Sequence, residues 1–174
     1  MNVLTHVPQS FEQGRPDHPR DTATSNAFAA LLPILTENID AQRDLEDVGF
    51  SMDTPYTNWM RDAERAEDRL MDVLKDLRTL PLETPEDIPL RRIANMLHEM
   101  RRSQVDTARD IHRRFQEGFD LRFVLRDTSA TARHRNLLMQ WSQPLIASFA
   151  ALPIFAADTE EGDMGDDDIP PPAI

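Results

Sequence analysis

Apolar residues recur at three- and four-residue steps through the middle of the chain, and that spacing predicts helices. Phe28, Leu31, Leu32, Leu35, Ile39 and Leu45 mark one face of a helix running from Asn26 to about Asp47. Pro33 falls inside it and is expected to kink the helix or delay its start. A second helix is expected from Thr54, the N-cap with Pro55 at the first helical position, to about Leu80. Its apolar positions Trp59, Ala63, Ala66, Leu70, Val73, Leu77 and Leu80 alternate steps of four and three. That is a heptad seam, enough for pairing with another helix in the manner of a coiled coil.

The connector "LPLETPEDIPL" carries another start signal: Thr84 as cap, Pro85 after it, and Glu86 and Asp87 in the first turn, where acids favour the helix dipole. Pro89 blurs that start by a turn. The helix that follows is expected to continue to Gly118 as its C-cap, with Ile93, Leu97, Met100, Gln104, Ala108, Ile111 and Phe115 on one face. The two helices would be roughly 40 and 50 Å long and form an antiparallel hairpin. Beyond Gly118, a short helix to about Arg126, a break at "DTSAT" and a last helix from Ala132 are expected. That last helix runs into an uncharged stretch, residues 136–157, apolar nearly all round, so it should be deeply buried or meet a partner. Strand-like alternation is absent and the chain has only five glycines, so hairpin grammar is missing. The fold class is all-α: a bundle of about four helices, residues 26–157, built around the long hairpin.

The two ends read differently. Residues 1–25 are polar, with Pro8, Pro16 and Pro19 and no apolar face, and are expected to form a disordered leader. The end, "DTEEGDMGDDDIPPPAI", residues 158–174, holds seven acids and no base, and reads as a disordered, solvated acidic tail. It misplaces both the glycine and the closing acid of an EF-hand calcium loop. The N-terminal stretch lacks the apolar run of a Sec signal, so a cytoplasmic location is expected, with specialised secretion left open. Residues 136–157 are long enough to span a membrane. Asn136, Gln140, Ser142, Gln143, Pro144 and Pro153 make that alternative the weaker one.

Composition narrows the chemistry. The 174 residues include no cysteine, which excludes disulfides, thiolate catalysis and cysteine-ligated zinc. The basic residues are eighteen Arg and one Lys, as a GC-rich bacterial coding genome would give. None of the five histidines, His6, His18, His98, His112 and His134, belongs to a Glu-x-x-His or His-Glu-x-x-His motif. His98 and His112, four turns apart on the expected helix, cannot share a metal; they read as boundary residues, with a pH response as the functional alternative. With no Gly-x-Ser-x-Gly and no Gly-rich phosphate loop, no catalytic residue, metal site or cofactor is assigned.

Charge is more informative. The net charge is −12, but it is divided: residues 36–87 carry −9, residues 91–135 carry +5 and the tail carries −7. Glu64, Asp68, Asp72 and Asp76 would form an acidic ridge on the second helix. Arg91, Arg102, Arg109 and Arg113 would fall within one sector of the third, opposite its apolar face. An Arg ridge screened by the tail suggests a nucleic-acid partner as one alternative. Glu99, Asp106 and Asp110 stand three or four residues from Arg102, Arg109, Arg113 and Arg114 and would neutralise it locally, and the acidic whole disfavours phosphate. The favoured expectation is a non-enzymatic bacterial protein–protein interaction module: an adaptor, a chaperone-like protein, or an assembly or secretion-system subunit. It would bind another protein or a second copy of itself, with Trp141, Leu145, Ile146 and Phe149 of the last helix as either the core of the bundle or the buried centre of that contact.

Overall fold

The computed structural model describes residues 18–47 and 54–156, which are mostly helical, with no strand among them. The expected acidic tail, most of the leader and the caps of the second helix lie outside the described residues and side chains. Five α-helices follow in order: α1 Ala23–Asp47, α2 Thr54–Thr79, α3 Ile88–Arg102, α4 Val105–Arg122 and α5 Ala130–Ala150. Single 3-10 turns, Pro85–Asp87 and Pro153–Phe155, precede α3 and follow α5.

The first helix begins inside the stretch read as leader. Thr22 and Ser25 form a reciprocal cap: the Ser25 N–H donates to Thr22 Oγ1 at 3.1 Å, and the Thr22 N–H donates to Ser25 Oγ at 3.0 Å. This satisfies two N-terminal donors and fixes the start at Ala23, so Pro33 sits in the helix interior and does not delay it. Phe28, Leu31, Leu35 and Ile39 are buried as the pattern requires. On α2 the buried set is Ala63, Ala66, Leu70, Leu74 and Leu77. Leu74 is wholly buried whereas Val73 and Trp59 are only partly covered, so the stripe is the broad one of a globular bundle and not a strict seam.

The expected third helix is two helices. Ser103 (φ −88°, ψ 162°) and Gln104 (φ −63°, ψ 154°) are extended and divide α3 from α4. No proline or glycine marks the place, and the apolar period runs straight across it from Met100 to Ala108, so the pattern alone conceals the turn. The second arm of the expected hairpin is therefore only fifteen residues long, and Gly118 lies within α4 instead of capping a helix. The chain leaves α4 at Arg122, short of the expected short helix to Arg126. Residues 124–128 are held to α5 by Asn136. Its Nδ2 donates to the Leu125 carbonyl at 2.8 Å, and its Oδ1 accepts from the Leu125 N–H at 2.9 Å.

One apolar core serves all five helices. Leu70, Leu74 and Leu77 of α2 and Leu90, Ile93, Leu97 and Met100 of α3 meet the α1 stripe and Leu138, Met139, Ile146 and Phe149 of α5. Phe115, Phe119 and Phe123 form an aromatic cluster with centroids 5.2 to 5.8 Å apart, and Phe149 meets Phe155 edge-on at 5.1 Å.

At the edge of this core is a polar knot that the apolar pattern does not announce. Arg135 of α5 and Asp87, just before α3, are both 0% exposed, and Arg135 Nε donates to Asp87 Oδ1 at 2.9 Å. Thr22 Oγ1 donates to the same oxygen at 3.0 Å, and Arg135 Nη2 donates to the Arg20 carbonyl at 2.6 Å. Asp87, expected to serve the helix dipole, instead holds the entry to α1 and the start of α5 against the α2–α3 connector. Removing one partner strands the other as a buried charge, so Arg135→Met or Asp87→Leu alone should lower stability by about 3 to 5 kcal/mol in urea denaturation. The double replacement should cost much less than the two single changes combined; simple additivity would refute the coupling.

Candidate functional surfaces

Two surfaces carry residues whose placement the core does not explain. The first is the outer face of α5. Ser129 caps this helix, its Oγ accepting from the Ala132 N–H at 3.2 Å, and Arg135, Leu138, Met139, Ser142, Ile146 and Phe149 turn inward. Ser142 is satisfied within the helix by donating to the Met139 carbonyl at 2.7 Å. Outside, beside polar Arg133 and Gln140, remain two large apolar side chains: Leu137 is 45% exposed and Trp141, one turn on, is 58% exposed. From Asn136 to Ala150 the helix bears no charge. Nearby, Phe115 and Gln116 of α4 and Gln143, Pro144 and Ala147 of α5 line a recess of about 460 Å³.

The residues expected to form the core or the contact on α5 are therefore separated. Trp141 faces outward, Leu145 is half-buried against the core, and Ile146 and Phe149 are core residues with 0% exposure. An element apolar nearly all round has more apolar surface than one core can cover, and the excess is left at Leu137 and Trp141. Among the described residues no helix is long and apolar enough to cross a membrane.

The second surface lies where α2 ends against α3. Arg78, Asn95, His98, Glu99, Arg102 and Ser103 line a recess of about 350 Å³. Arg78 Nη1 stands 3.0 Å from His98 Nδ1 and 3.1 Å from Nε2. An atom nearly equidistant from both ring nitrogens lies over the ring and not in line with either lone pair, so the guanidinium packs on the imidazole face, where a protonated ring would be a second like charge. Desolvation, then the charges of Arg78 and Arg102, hold the His98 pKa below its ordinary value. His112 is lowered too, by burial alone; it lies on α4 beside Arg109 and Phe155 at a cavity of about 60 Å³.

The turn at Ser103 also divides the expected Arg ridge. Arg91 and Arg102 are on α3, Arg109 and Arg113 on α4, and His98 and His112 are parted the same way. Arg91 is half-buried, with Nε and Nη2 buried and without a hydrogen-bond partner among the described residues. Arg109 Nε donates to the Phe155 carbonyl at 2.9 Å, and Arg113 pairs with Asp110 at 2.7 Å. Only the Asp110 member of the expected neutralising set forms: Arg114 stands 3.9 Å from it, whereas Arg102 and Arg109 have no acid within 4.0 Å among the described residues. Arg101, absent from the expected ridge, reaches back to Glu67 of α2 at 2.5 Å, and Glu67 in turn accepts from buried Asn38 of α1 at 3.2 Å. No cluster of three or more His, Asp or Glu side chains suited to a metal ion occurs among the described residues.

The depressed histidines have a consequence for stability. Unfolding restores both imidazoles toward their ordinary value of 6.5, so just below that pH the unfolded chain binds more protons than the folded one. Their contribution is constant above the window, falls as pH drops from about 6.5 through the folded values, and levels off below them. Denaturation of the wild type and of His98→Asn/His112→Asn between about pH 7.5 and 5.5 checks this: the wild type should lose more stability than the variant, and parallel curves would refute it.

Comparison with known protein families, with curated proteins and with solved structures finds no match for this chain.

Proposed function

We propose that the chain is a non-enzymatic protein–protein interaction module, of the adaptor or assembly-subunit kind, that binds another protein through the outer face of α5. The observation that carries this reading is Trp141, 58% exposed, with Leu137 at 45% one turn before it, on a helix that is uncharged from Asn136 to Ala150. Single exposed apolar residues are ordinary on a protein surface. Here an indole and a leucine share one face, the only charge beside them on their own helix is Arg133, one turn before Leu137, and the adjoining recess adds Phe115 and Pro144. Tryptophan is enriched among residues that dominate binding energy, because it brings a large area at little conformational cost. Association with a second copy would bring two chains of net charge −12 together, so a distinct partner fits better. The non-enzymatic part rests on the sequence, which offers no cysteine nucleophile, no nucleophile elbow and no phosphate loop.

The test is a photo-crosslinking residue placed at position 141 of the full chain in its native host, with position 75 of α2 as the control surface. A discrete heterologous adduct is expected from position 141 and not from 75, and it should vanish when Leu137→Glu is added. With the partner in hand, Trp141→Ala should weaken binding by about thirtyfold or more, about 2 kcal/mol, as for a contact that anchors an interface. No Leu137-dependent adduct, or an adduct only to a second copy, would overturn the reading.

A further inference from the structure

We propose that the recess between the end of α2 and α3 is an oxyanion-binding site in which the guanidiniums of Arg78 and Arg102 and the imidazole of His98 hold a phosphate-type or carboxylate group. The site is separate from the α5 face and independent of the reading given for it.

The recess, about 350 Å³, places two guanidiniums around one imidazole, with the Asn95 amide and Ser103 hydroxyl as neutral donors. Arg78 and Arg102 occupy the last turns of their helices, where cations suit the dipole. That accounts for one guanidinium at each helix end, and Arg102 stands one turn after His98 on α3, but neither explains why Arg78 of α2 reaches across to the imidazole at 3.0 Å. Among the described residues neither Arg78 nor Arg102 has an acid within 4.0 Å, although Glu99 also lines the recess. The charged groups facing His98 are thus Arg78 from α2 and Glu99 and Arg102 from α3, net positive with the imidazole neutral. Like charges directed into one space repel, and an anion reverses the sign of that interaction. Guanidiniums match planar pairs of phosphate or carboxylate oxygens, each charge-assisted hydrogen bond being about twice as strong as a neutral one. An anion on Arg78 and Arg102 also favours protonation of His98, which then adds a third cationic donor. The shared chemistry has two sources: a free or partner-borne phosphate group, or the seven carboxylates of residues 158–168 of the chain itself.

Inorganic phosphate is the probe, titrated into the full chain at constant ionic strength and slightly alkaline pH. The His98 ring resonances are followed by NMR with His112 as internal reference. A second arm uses the full chain with those seven acids changed to Asn or Gln. Saturable movement of His98 in both arms supports the site with phosphate as ligand; movement only in the neutralised arm supports the site with the chain's own carboxylates as occupant. Arg78→Gln or Arg102→Gln should each weaken binding about tenfold, and both substitutions lie on exposed side chains, so either serves if the other impairs folding. Absence of a His98-specific, saturable shift in both arms, or a shift unchanged in both variants, would overturn the proposal.

Discussion

The fold depends on a charge that water cannot reach. Arg135 and Asp87 are fully buried, and neither could be accommodated alone, because the desolvation of an isolated ion exceeds anything the surrounding packing supplies. Each condition for burying the pair therefore becomes a condition on the backbone. Thr22 must lie where its hydroxyl can donate to Asp87, so α1 must begin at Ala23; the Arg20 carbonyl must reach Arg135, so the chain before α1 must cross the start of α5. Related contacts close the same corner: the Ala23 N–H donates to Glu83, and the Arg20 N–H donates to Thr131. An apolar replacement of similar volume can pack as well, but it would not dictate which three segments meet; a directional pair does.

How much of this was legible in the sequence follows from the kind of signal each element carries. Helices α1, α2 and α5 were readable because an apolar stripe is a local property of spacing. The turn at Ser103 was not, because α3 and α4 each present an apolar face in the same phase and "RRSQ" contains no residue that stops a helix by itself. Asp87 and Arg135 were hidden for another reason. An acid in a first helical turn already has a satisfactory local explanation, and an arginine at the edge of an uncharged run looks like its boundary. The available sign was positional: Arg135 stands three and four residues before Leu138 and Met139, on the inward stripe of α5, where a charge demands a partner.

That turn also decides what the surface can do. A continuous helix would have set Arg91, Arg102, Arg109 and Arg113 along one rod, the arrangement that suits a phosphate backbone. The extended backbone at Ser103 and Gln104 distributes them instead to separate tasks. Arg109 holds the 3-10 turn after α5, Arg113 shares Asp110 with Arg114, and Arg102 faces His98. The same charges that read as one electrostatic feature in sequence become local ones in space, and their significance passes from total charge to the company each keeps.

The acidic and apolar surpluses of the chain are accommodated by opposite means. On α2, Glu67 is drawn inward by Asn38 and Arg101 and ties α1, α2 and α3 together, whereas Glu64, Asp68, Asp72 and Asp76 remain exposed. Solvated carboxylates at that face cost little and need no partner. An exposed indole has no such remedy, since water solvates its ring poorly at any pH or salt concentration. The uncharged length of α5 exceeds what the bundle can cover, and the inward stripe, already filled by Arg135, Leu138, Met139, Ser142, Ile146 and Phe149, leaves no room to rotate Trp141 inside without expelling the guanidinium. The buried ion pair thus fixes the rotation of α5 about its axis, and in doing so it keeps Leu137 and Trp141 outside.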